Sequence, residues 1–311
     1  MAELSSPYSR VVYADAAEQE RGLDGWSQSY CQLSPGAYRG VLETLALGPV
    51  TVHRERINLP VEQRTAPPSG QVVYACSLGG RGPWRLNAVA LGGDTLAILR
   101  RSEEQTAAFG SHSDLLFIAA AETALGETEP GAASPSTVPA GEAFGFLSSW
   151  LMSLLSHFAT LEAGVGGDLA AVLPGMVLDR LQFVHGLVSA HGSRSRRVEP
   201  DARLFRTARD IAEASEADDL TVADLAARAG VSPGVLREAF MRTVGVGPGT
   251  WLRSRRLDGA RRDLLAAART GATVTDIAAK WGFLHFGRFA ATYAAYYGEP
   301  PSRTARGGRD H

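Results

Sequence analysis

Two side chains that could hold a metal ion, His53 and Glu55, stand two positions apart in a β-branched segment. Alternate residues of a strand point to the same face, so both would share one side of a sheet. A metal site of this kind needs further histidines nearby, and the strand-rich part of the chain offers only His112. Because a single histidine on a strand is usually structural, the pattern predicts no metal site.

Nucleophilic chemistry has equally little support. Cys31 and Cys76 lie among apolar or aromatic neighbours without an adjacent basic residue, which predicts buried free thiols instead of a disulfide, a zinc site or an activated nucleophile. The GxSxG, GxGxxG, P-loop and HExxH patterns do not occur, and the glycine-rich GVGGD at 164–168 precedes a helical segment without a preceding strand. The sequence therefore predicts neither an enzyme nor a cofactor.

Binding through arginine side chains is the remaining possibility, and charged residues are distributed unevenly along the chain. Residues 1–200 hold 14 arginines and 20 acidic residues, whereas residues 201–311 hold 17 basic and 13 acidic residues. The net charge is thus −6 in the first part and +4 in the second. A basic end on an acidic chain points toward nucleic acid, and the planar fork of arginine suits phosphates and guanine edges.

Residues 220–245, LTVADLAARAGVSPGVLREAFMRTVG, contain a helix start, a turn and a second helix start. Thr221 with Asp224 resembles a capping box, and Gly230 permits a tight turn. Ser232 caps the next helix, and Pro233 stands at its first position, where the missing N–H does no harm. Such an order is typical of a helix-turn-helix motif.

The pattern recurs about fifty residues later. In residues 272–298, Thr273 and Asp276 repeat the capping box, and Gly282 repeats the turn. Between the copies, residues 248–268 form an amphipathic helix that would hold them at a fixed separation. Two copies at this spacing are much stronger evidence for a DNA-binding domain than one.

Residues 204–306 closely resemble the DNA-binding domain of the AraC/XylS family through VSPGVLREAF, GVGPGTWLRSRRLDGARRDL, TVTDIA, GFLHFGRF and GEPPS. The resemblance implies a domain that reads two successive major grooves. It places base-reading positions at Gly234, Arg237, Glu238, Phe286, Gly287, Ala290 and Ala291. Phosphate candidates are Arg253, Arg255, Arg256, Arg261, Arg262, His285 and Arg288. Some of these arginines are expected to pair with Asp258 and Asp263 instead, so we expect about half of the six to reach DNA.

Two departures from the family pattern matter for specificity. Glu238 occupies a position that is usually basic, where a carboxylate either accepts from cytosine or forms an ion pair within the domain. Ala290 and Ala291 offer only methyl groups, so the second recognition helix is expected to contribute less direct readout than Arg237 does in the first.

The N-terminal part predicts short strands at 50–59, 71–78, 84–91, 95–100 and 114–121, separated by Gly, Pro and Asp clusters. We interpret residues 10–122 as a small β domain. LSPGAYRG (33–40) and LALGPVTVHRERIN (45–58) resemble, more loosely, the cupin-like sensing domain of ethanolamine-operon regulators. Plausible ligand-lining residues are Tyr74, Cys76, Trp84 and Arg85, although each could equally belong to the core.

Two helical segments follow at 142–162 and 168–190. The first has an apolar stripe of Phe146, Trp150, Leu154 and Phe158, and the second has one of Val177, Leu181, Val184 and Val188. These stripes either pack against the β domain or form a dimer interface. The residues at 196–203 are the best linker before the helical C-terminal domain.

The sequence thus predicts an α+β protein of two domains, a cupin-like barrel with helices (1–195) and a double helix-turn-helix domain (204–306). It predicts a cytoplasmic transcription regulator, either an activator or a repressor, with double-stranded DNA, an unidentified small-molecule effector, RNA polymerase and a second copy of itself as partners, and no membrane. Two alternatives stay open. In the first, the β domain only dimerises or binds a protein partner. In the second, the β domain is catalytic, which would require an activated cysteine.

Overall fold

The computed structural model describes residues 7–100, 104–126, 136–160, 167–190, 194–195, 199–215 and 220–307. The N-terminal part is built of strands and the C-terminal part of helices, as the sequence predicts. None of the helices in these ranges is both long and apolar enough to cross a lipid bilayer.

The strands of the described residues are β1 (Tyr8–Tyr13), β2 (Ser27–Gln32), β3 (Gly40–Leu47), β4 (Val50–Ile57), β5 (Val61–Ala66), β6 (Gln71–Arg81), β7 (Trp84–Leu86), β8 (Val89–Leu91), β9 (Thr95–Arg100), β10 (Gln105–Phe109), β11 (Ser111–Ala121), β12 (Ser136–Pro139) and β13 (Arg194–Ser195). They form two antiparallel sheets. The larger has the order β1-β3-β4-β11-β6-β9-β12-β13, and the smaller has the order β2-β5-β10-β7-β8. In the described part strand pairing does not join the two sheets into a closed barrel, an arrangement that is compatible with the expected cupin-like barrel but does not confirm it.

Alternating side chains of the larger sheet supply two different cores. On β11, Leu115 and Phe117 point toward the smaller sheet, where they meet Tyr30 and Trp84. Their neighbours Leu116 and Ile118 point to the opposite face. The period of two residues along a strand therefore divides one apolar run between an inner core and an outer one.

Two helices cover the outer face, α2 (Gly141–Phe158) and α3 (Gly167–Ala190), whereas α1 (Ala16–Gln19) is a single turn beside β2. The described stripe residues of α3, Val177, Leu181 and Val184, are buried against the sheet, which favours packing over dimerisation for that stripe. The side chain of Val188 lies outside the described residues.

The apolar stripe expected on α2 was wrong. Its buried residues are Phe144, Leu147, Leu151, Leu155 and Phe158, and of the expected stripe only Phe158 is among them. Phe146 is 76% exposed. A helix in which most positions are apolar has several candidate faces, and only the shape of the sheet beneath it selects one.

The C-terminal helices are α4 (Pro200–Ala214), α5 (Val222–Arg228), α6 (Pro233–Thr243), α7 (Pro248–Thr270), α8 (Val274–Lys280), α9 (Phe286–Tyr297) and α10 (Pro301–Gly307). α4 begins at Pro200, inside the range expected to be linker, because proline is well tolerated at a first helical position. Residues 196–198 of that linker lie outside the described residues.

Candidate nucleic-acid interface

The first helix-turn-helix motif consists of α5 and α6, and local chemistry fixes both helix starts. The Thr221 hydroxyl accepts from Asp224 N, and the Asp224 carboxylate accepts from Thr221 N at 3.0 Å, so the expected capping box forms. Ser232 Oγ accepts from Val235 N at the start of α6. Gly230 adopts φ +70° between the helices, a left-handed conformation that a side chain would strain.

The second motif, α8 and α9, repeats this construction with one difference. Thr273 and Asp276 form the same capping box, and Gly282 turns with φ +76°. His285 stands at the N-cap of α9 but its side chain caps no backbone N–H. The start of the second recognition helix is therefore less firmly fixed than that of the first.

The outer face of α6 presents the expected readers of the first motif. Gly234, Arg237 and Glu238 are all exposed, whereas Leu236 and Phe240 on the opposite face are buried. Arg237 has no ion-pair partner among the described residues. Glu238 Oε2 lies 4.0 Å from Arg242 Nη2, at the limit of an ion pair, so both roles expected of this carboxylate remain open.

At α9 the exposed face is mostly apolar, with two basic side chains near its start. Phe286 is 44% exposed, and Gly287, Ala291, Arg288 and His285 are exposed with it, whereas Ala290 is half-buried. Leu284, just before the helix, is 70% exposed and was not among the residues expected from sequence. Its position outside the helical repeat gave no periodicity from which to find it.

The arginines of α7 divide into free and engaged ones. Arg253 is exposed, whereas Arg256 Nη2 donates to the Leu220 carbonyl at 3.0 Å and so ties α7 to the entry of α5. Arg255 is half-buried, and burial lowers its pKa. Arg253 is therefore the α7 arginine best placed for a phosphate, and Arg256 has a structural role as well.

Two further arginines of α7 that were phosphate candidates pair with carboxylates of the β domain instead. Arg261 forms an ion pair with Asp15, and Arg262 binds Glu20 through contacts of 2.5 and 2.9 Å. Arg262 also binds Asp258 on its own helix. These guanidiniums already have carboxylate partners, so the structure assigns them to the contact between the domains.

Buried polar contacts complete this junction. Trp251 Nε1 of α7 donates to Glu62 Oε2 of β5 at 2.5 Å, and burial raises the pKa of that carboxyl while the indole hydrogen bond partly offsets the rise. Tyr296 of α9 donates to the Gln32 carbonyl at 2.9 Å. The DNA-binding helices and the β domain thus share buried hydrogen bonds as well as ion pairs.

The four expected ligand-lining residues do not surround one cavity. Tyr74 and Cys76 face α2 and α3, where the Tyr74 hydroxyl lies 2.5 Å from Nδ1 of His185. Trp84 packs in the core between the sheets. Arg85, next to it on β7, faces Gly245 at the end of the first motif. Neighbouring residues of a strand point to opposite faces, so Trp84 and Arg85 separate.

Of the groups considered for catalysis, His53 and Cys76 are buried, whereas Cys31, also expected to be buried, is only half-buried. Burial lowers the pKa of His53 to about 4, and the ring bonds Thr44 Oγ1 at 2.9 Å. Burial also raises the pKa of Cys76 to about 12 and that of Cys31 well above its ordinary value, so neither thiol is activated. Across the described ranges no cluster of three or more His, Cys, Asp or Glu residues is placed to hold a metal ion.

Comparison with known proteins finds one matching family and several similar regulators. A family described as a helix-turn-helix domain matches residues 225–307. The chain is similar to a probable thc operon regulatory protein of Rhodococcus erythropolis, with 42% identity over 124 residues, which are 39% of this chain and 37% of that protein. It is also similar to the XylDLEGF operon transcriptional activator 2 of Pseudomonas putida, with 32% identity over 117 residues, 38% of this chain and 74% of that protein.

Among solved structures, the AraC-like transcriptional activator CuxR covers 86% of this chain and 98% of its own, with 16% sequence identity and a TM-score of 0.42. The matches to the first two curated relatives span 37% and 22% of those proteins' lengths.

Proposed function

The chain belongs to the AraC/XylS family of DNA-binding transcription regulators, and we propose that it binds its operator through both helix-turn-helix motifs and activates transcription in response to a small-molecule effector. In this proposal α6 and α9 enter successive major grooves, and the arginines around them bind the phosphates. RNA polymerase is the partner through which bound protein acts, and the proposal contains no catalytic step.

The exposed face of α6 is the observation that carries the proposal. A guanidinium without a carboxylate partner stands there beside Gly234, on a helix whose opposite face is fully buried. A solvated, unpaired arginine on a rigid helix can bind the O6 and N7 acceptors of guanine in a bidentate manner. Arg237 is therefore positioned for base contact before DNA binds.

The experiment is a titration of the full chain with the duplex upstream of its own gene, at several salt concentrations. Phosphate contacts release counterions, so log affinity should fall linearly with log salt concentration. We expect Arg288→Ala to weaken binding to all duplexes alike and to flatten this slope. An Arg21→Gln variant, which changes an exposed arginine of the β domain, is the control. Absence of binding to every duplex at low salt would refute the proposal.

We further propose that α2 and α3 form a homodimer interface through their outer surface. Phe146 and Phe183 are 76% and 63% exposed there, and they border a groove of about 670 Å³. Glu142, Asp179 and Arg180 surround it. A two-fold axis brings each patch against itself, so the arginine of one copy can face the carboxylates of the other.

Light scattering of the full chain at tens of micromolar tests the dimer. Phe146→Ser with Phe183→Ser should give a monomer, because two exposed aromatic anchors are lost from the interface. Val12→Ser, at an exposed apolar residue of β1, should leave the dimer intact. A monomeric wild-type protein would overturn this proposal and leave the DNA-binding proposal standing.

A further inference from the structure

The outer face of the larger sheet has an uncovered half. Under α2 and α3 the sheet is apolar, with Leu45, Val52 and Leu116 in the core. Farther along the same strands and on the same face, charged side chains replace these residues, among them Glu43, Arg54, Arg56 and Asp114. Strand β1 adds Arg10, whose register partner on β3 is Glu43.

A pocket of about 270 Å³ lies at the end of this charged half. Its wall includes three arginines from three different segments, Arg10 of β1, Arg39 of the loop before β3 and Arg56 of β4. His112 and Asp114 of β11 complete the charged and titratable part of the wall. Like charges that converge on one concavity repel each other unless an anion is shared between them.

The carboxylates of the region are already engaged. Asp114 accepts from Arg54 Nε at 2.9 Å and from Arg54 Nη2 at 2.7 Å. Glu43 accepts from Arg56 Nη2 at 3.0 Å and from the Tyr8 hydroxyl at 2.9 Å. Arg10 and Arg39 have no carboxylate within ion-pair distance in the described part of the chain. Two guanidiniums therefore remain available to a ligand, and Arg56 has a further donor, Nε, without an acceptor.

Asn58 fixes the loop that carries Arg39. Its Oδ1 accepts from Arg39 N at 2.7 Å, and its Nδ2 donates to the Ala37 carbonyl at 2.8 Å. Its backbone N–H donates to the Arg39 carbonyl, and its own carbonyl accepts from His112 N. One side chain and its backbone thus join the Arg39 loop, the end of β4 and the start of β11. A site connected in this way is organised before any ligand binds.

The backbone of His112, in the pocket wall, is held in an uncommon conformation. The residue has φ +55°, a left-handed conformation that is uncommon for a residue other than glycine. Such conformations persist where the surroundings impose them, and they occur frequently at binding sites. Here the hydrogen bond from His112 N to Asn58 holds the residue at the pocket wall.

We propose that this pocket binds a small dianionic oxyanion, either a phosphate ester or a dicarboxylate, between Arg10, Arg39 and Arg56. Arginine forks bind both groups through paired N–H donors, which explains why guanidiniums converge here. The volume is slightly below the range of roughly 300–1,000 Å³ for drug-sized ligands, so the ligand is a small metabolite. The claim that this pocket is the effector site rests on the proposed regulatory function and makes it more specific. The claim that the pocket binds an anion does not depend on that function.

Calorimetric titration of the full chain, without DNA, tests the site. Inorganic phosphate and succinate are the two probes, and sodium chloride at matched ionic strength is the reference. We expect saturable binding of at least one probe, and the tighter one identifies the source of the anion. Equal heats from chloride, or no saturable binding of either probe at millimolar concentration, would overturn the proposal.

Variants of the pocket arginines test whether the anion binds in this pocket. Arg39→Gln should weaken the preferred probe at least tenfold, and Arg10→Gln on a different strand should do the same. The control Arg21→Gln removes an exposed arginine of the same domain away from the pocket and should stay within twofold of wild type. Thermal unfolding in chloride checks that each variant folds. Equal affinities in all three variants would refute the assignment, whatever the DNA titration shows.

Discussion

The two helix-turn-helix motifs are built alike but differ in how they contact the β domain. The core of the first motif, around Phe205, Phe240 and Trp251, continues into Leu33 and Ala108 of the β domain. The second motif has a core supplied by C-terminal helices alone. Its Tyr296 bonds the Gln32 carbonyl, and Arg261 and Arg262 of α7, the helix between the motifs, pair with Asp15 and Glu20. The first contact combines an apolar core with the Trp251–Glu62 hydrogen bond, whereas the second consists of polar bonds without a shared core. Loss of a buried ring should therefore affect the β domain more through the first motif than through the second.

The recognition surfaces of the two motifs also differ. The first presents a guanidinium that forms directional bonds, whereas the second presents Phe286, Leu284 and Ala291, which can only contact methyl groups and shape. The motif whose core extends into the β domain thus presents a polar reading group, and the motif whose core is separate presents a mostly apolar surface.

The largest expected effect separates the two cores. Phe240→Ala and Phe289→Ala each remove a buried ring and should lower the free energy of unfolding by about 3–5 kcal/mol. Because Phe240 belongs to the core shared with the β domain, its loss should also increase amide exchange in β10, whereas Phe289→Ala should leave β10 protected. Denaturant unfolding with hydrogen exchange measures both. Equal exchange in β10 for the two variants would show that the cores are not distinct.

The polar contact between α7 and the β domain should make the free energy of unfolding depend on pH. Burial raises the pKa of Asp258 from 3.8 to about 6, with Arg262 opposing the rise. The folded protein therefore binds this proton more tightly than the unfolded chain, so the stabilisation is present at low pH and is lost as pH rises through this window. Relative to Asp258→Asn, wild-type stability should fall by about 2–3 kcal/mol between pH 4 and pH 6.

Urea unfolding of the wild type and the variant across this pH range makes the measurement. Asp210→Asn, at an exposed carboxylate of α4, controls for the loss of one charge. Parallel stability curves for wild type and Asp258→Asn would contradict the assignment.

Base readout should differ between the motifs by a smaller amount. Arg237→Ala should relax specificity in one half-site by about 1–3 kcal/mol per base pair, because a bidentate contact is lost. Ala291→Ser on α9 should change little. Selection from random duplexes gives the information content of both half-sites. A second half-site that is as sharply specified as the first would show that Phe286 or His285 reads bases directly.

The smallest effect concerns the helix starts. Ser232→Ala removes the hydroxyl that caps α6 and should cost about 1 kcal/mol. His285→Ala at the corresponding position of α9 should cost less, since the imidazole caps nothing. Thermal unfolding of both variants compares them directly, and an equal loss would indicate that the imidazole stabilises α9 in another way.

The sequence by itself determined the features that depend on neighbouring residues. Thr221 with Asp224 and Thr273 with Asp276 predicted capping boxes that form, and the glycines between paired helices predicted the turns. β-branched runs located five segments of the β domain, although β1, β2, β3, β5, β10, β12 and β13 were not predicted. In β2, β5 and β10 polar residues mask the alternation. Local hydrogen bonds and periodicity act within a few residues, so these patterns could be found without a structure.

Tertiary structure decided what depends on residues far apart in the chain. The pairing of Arg261 with Asp15 and of Arg262 with Glu20 spans more than two hundred positions, and no local pattern distinguishes these arginines from Arg253. The sheet selected which face of α2 is buried, and the strand register separated Trp84 from Tyr74 and brought Arg10, Arg39 and Arg56 to one pocket. Charged side chains take their role from the partner that the fold brings near, and sequence spacing does not encode that partner.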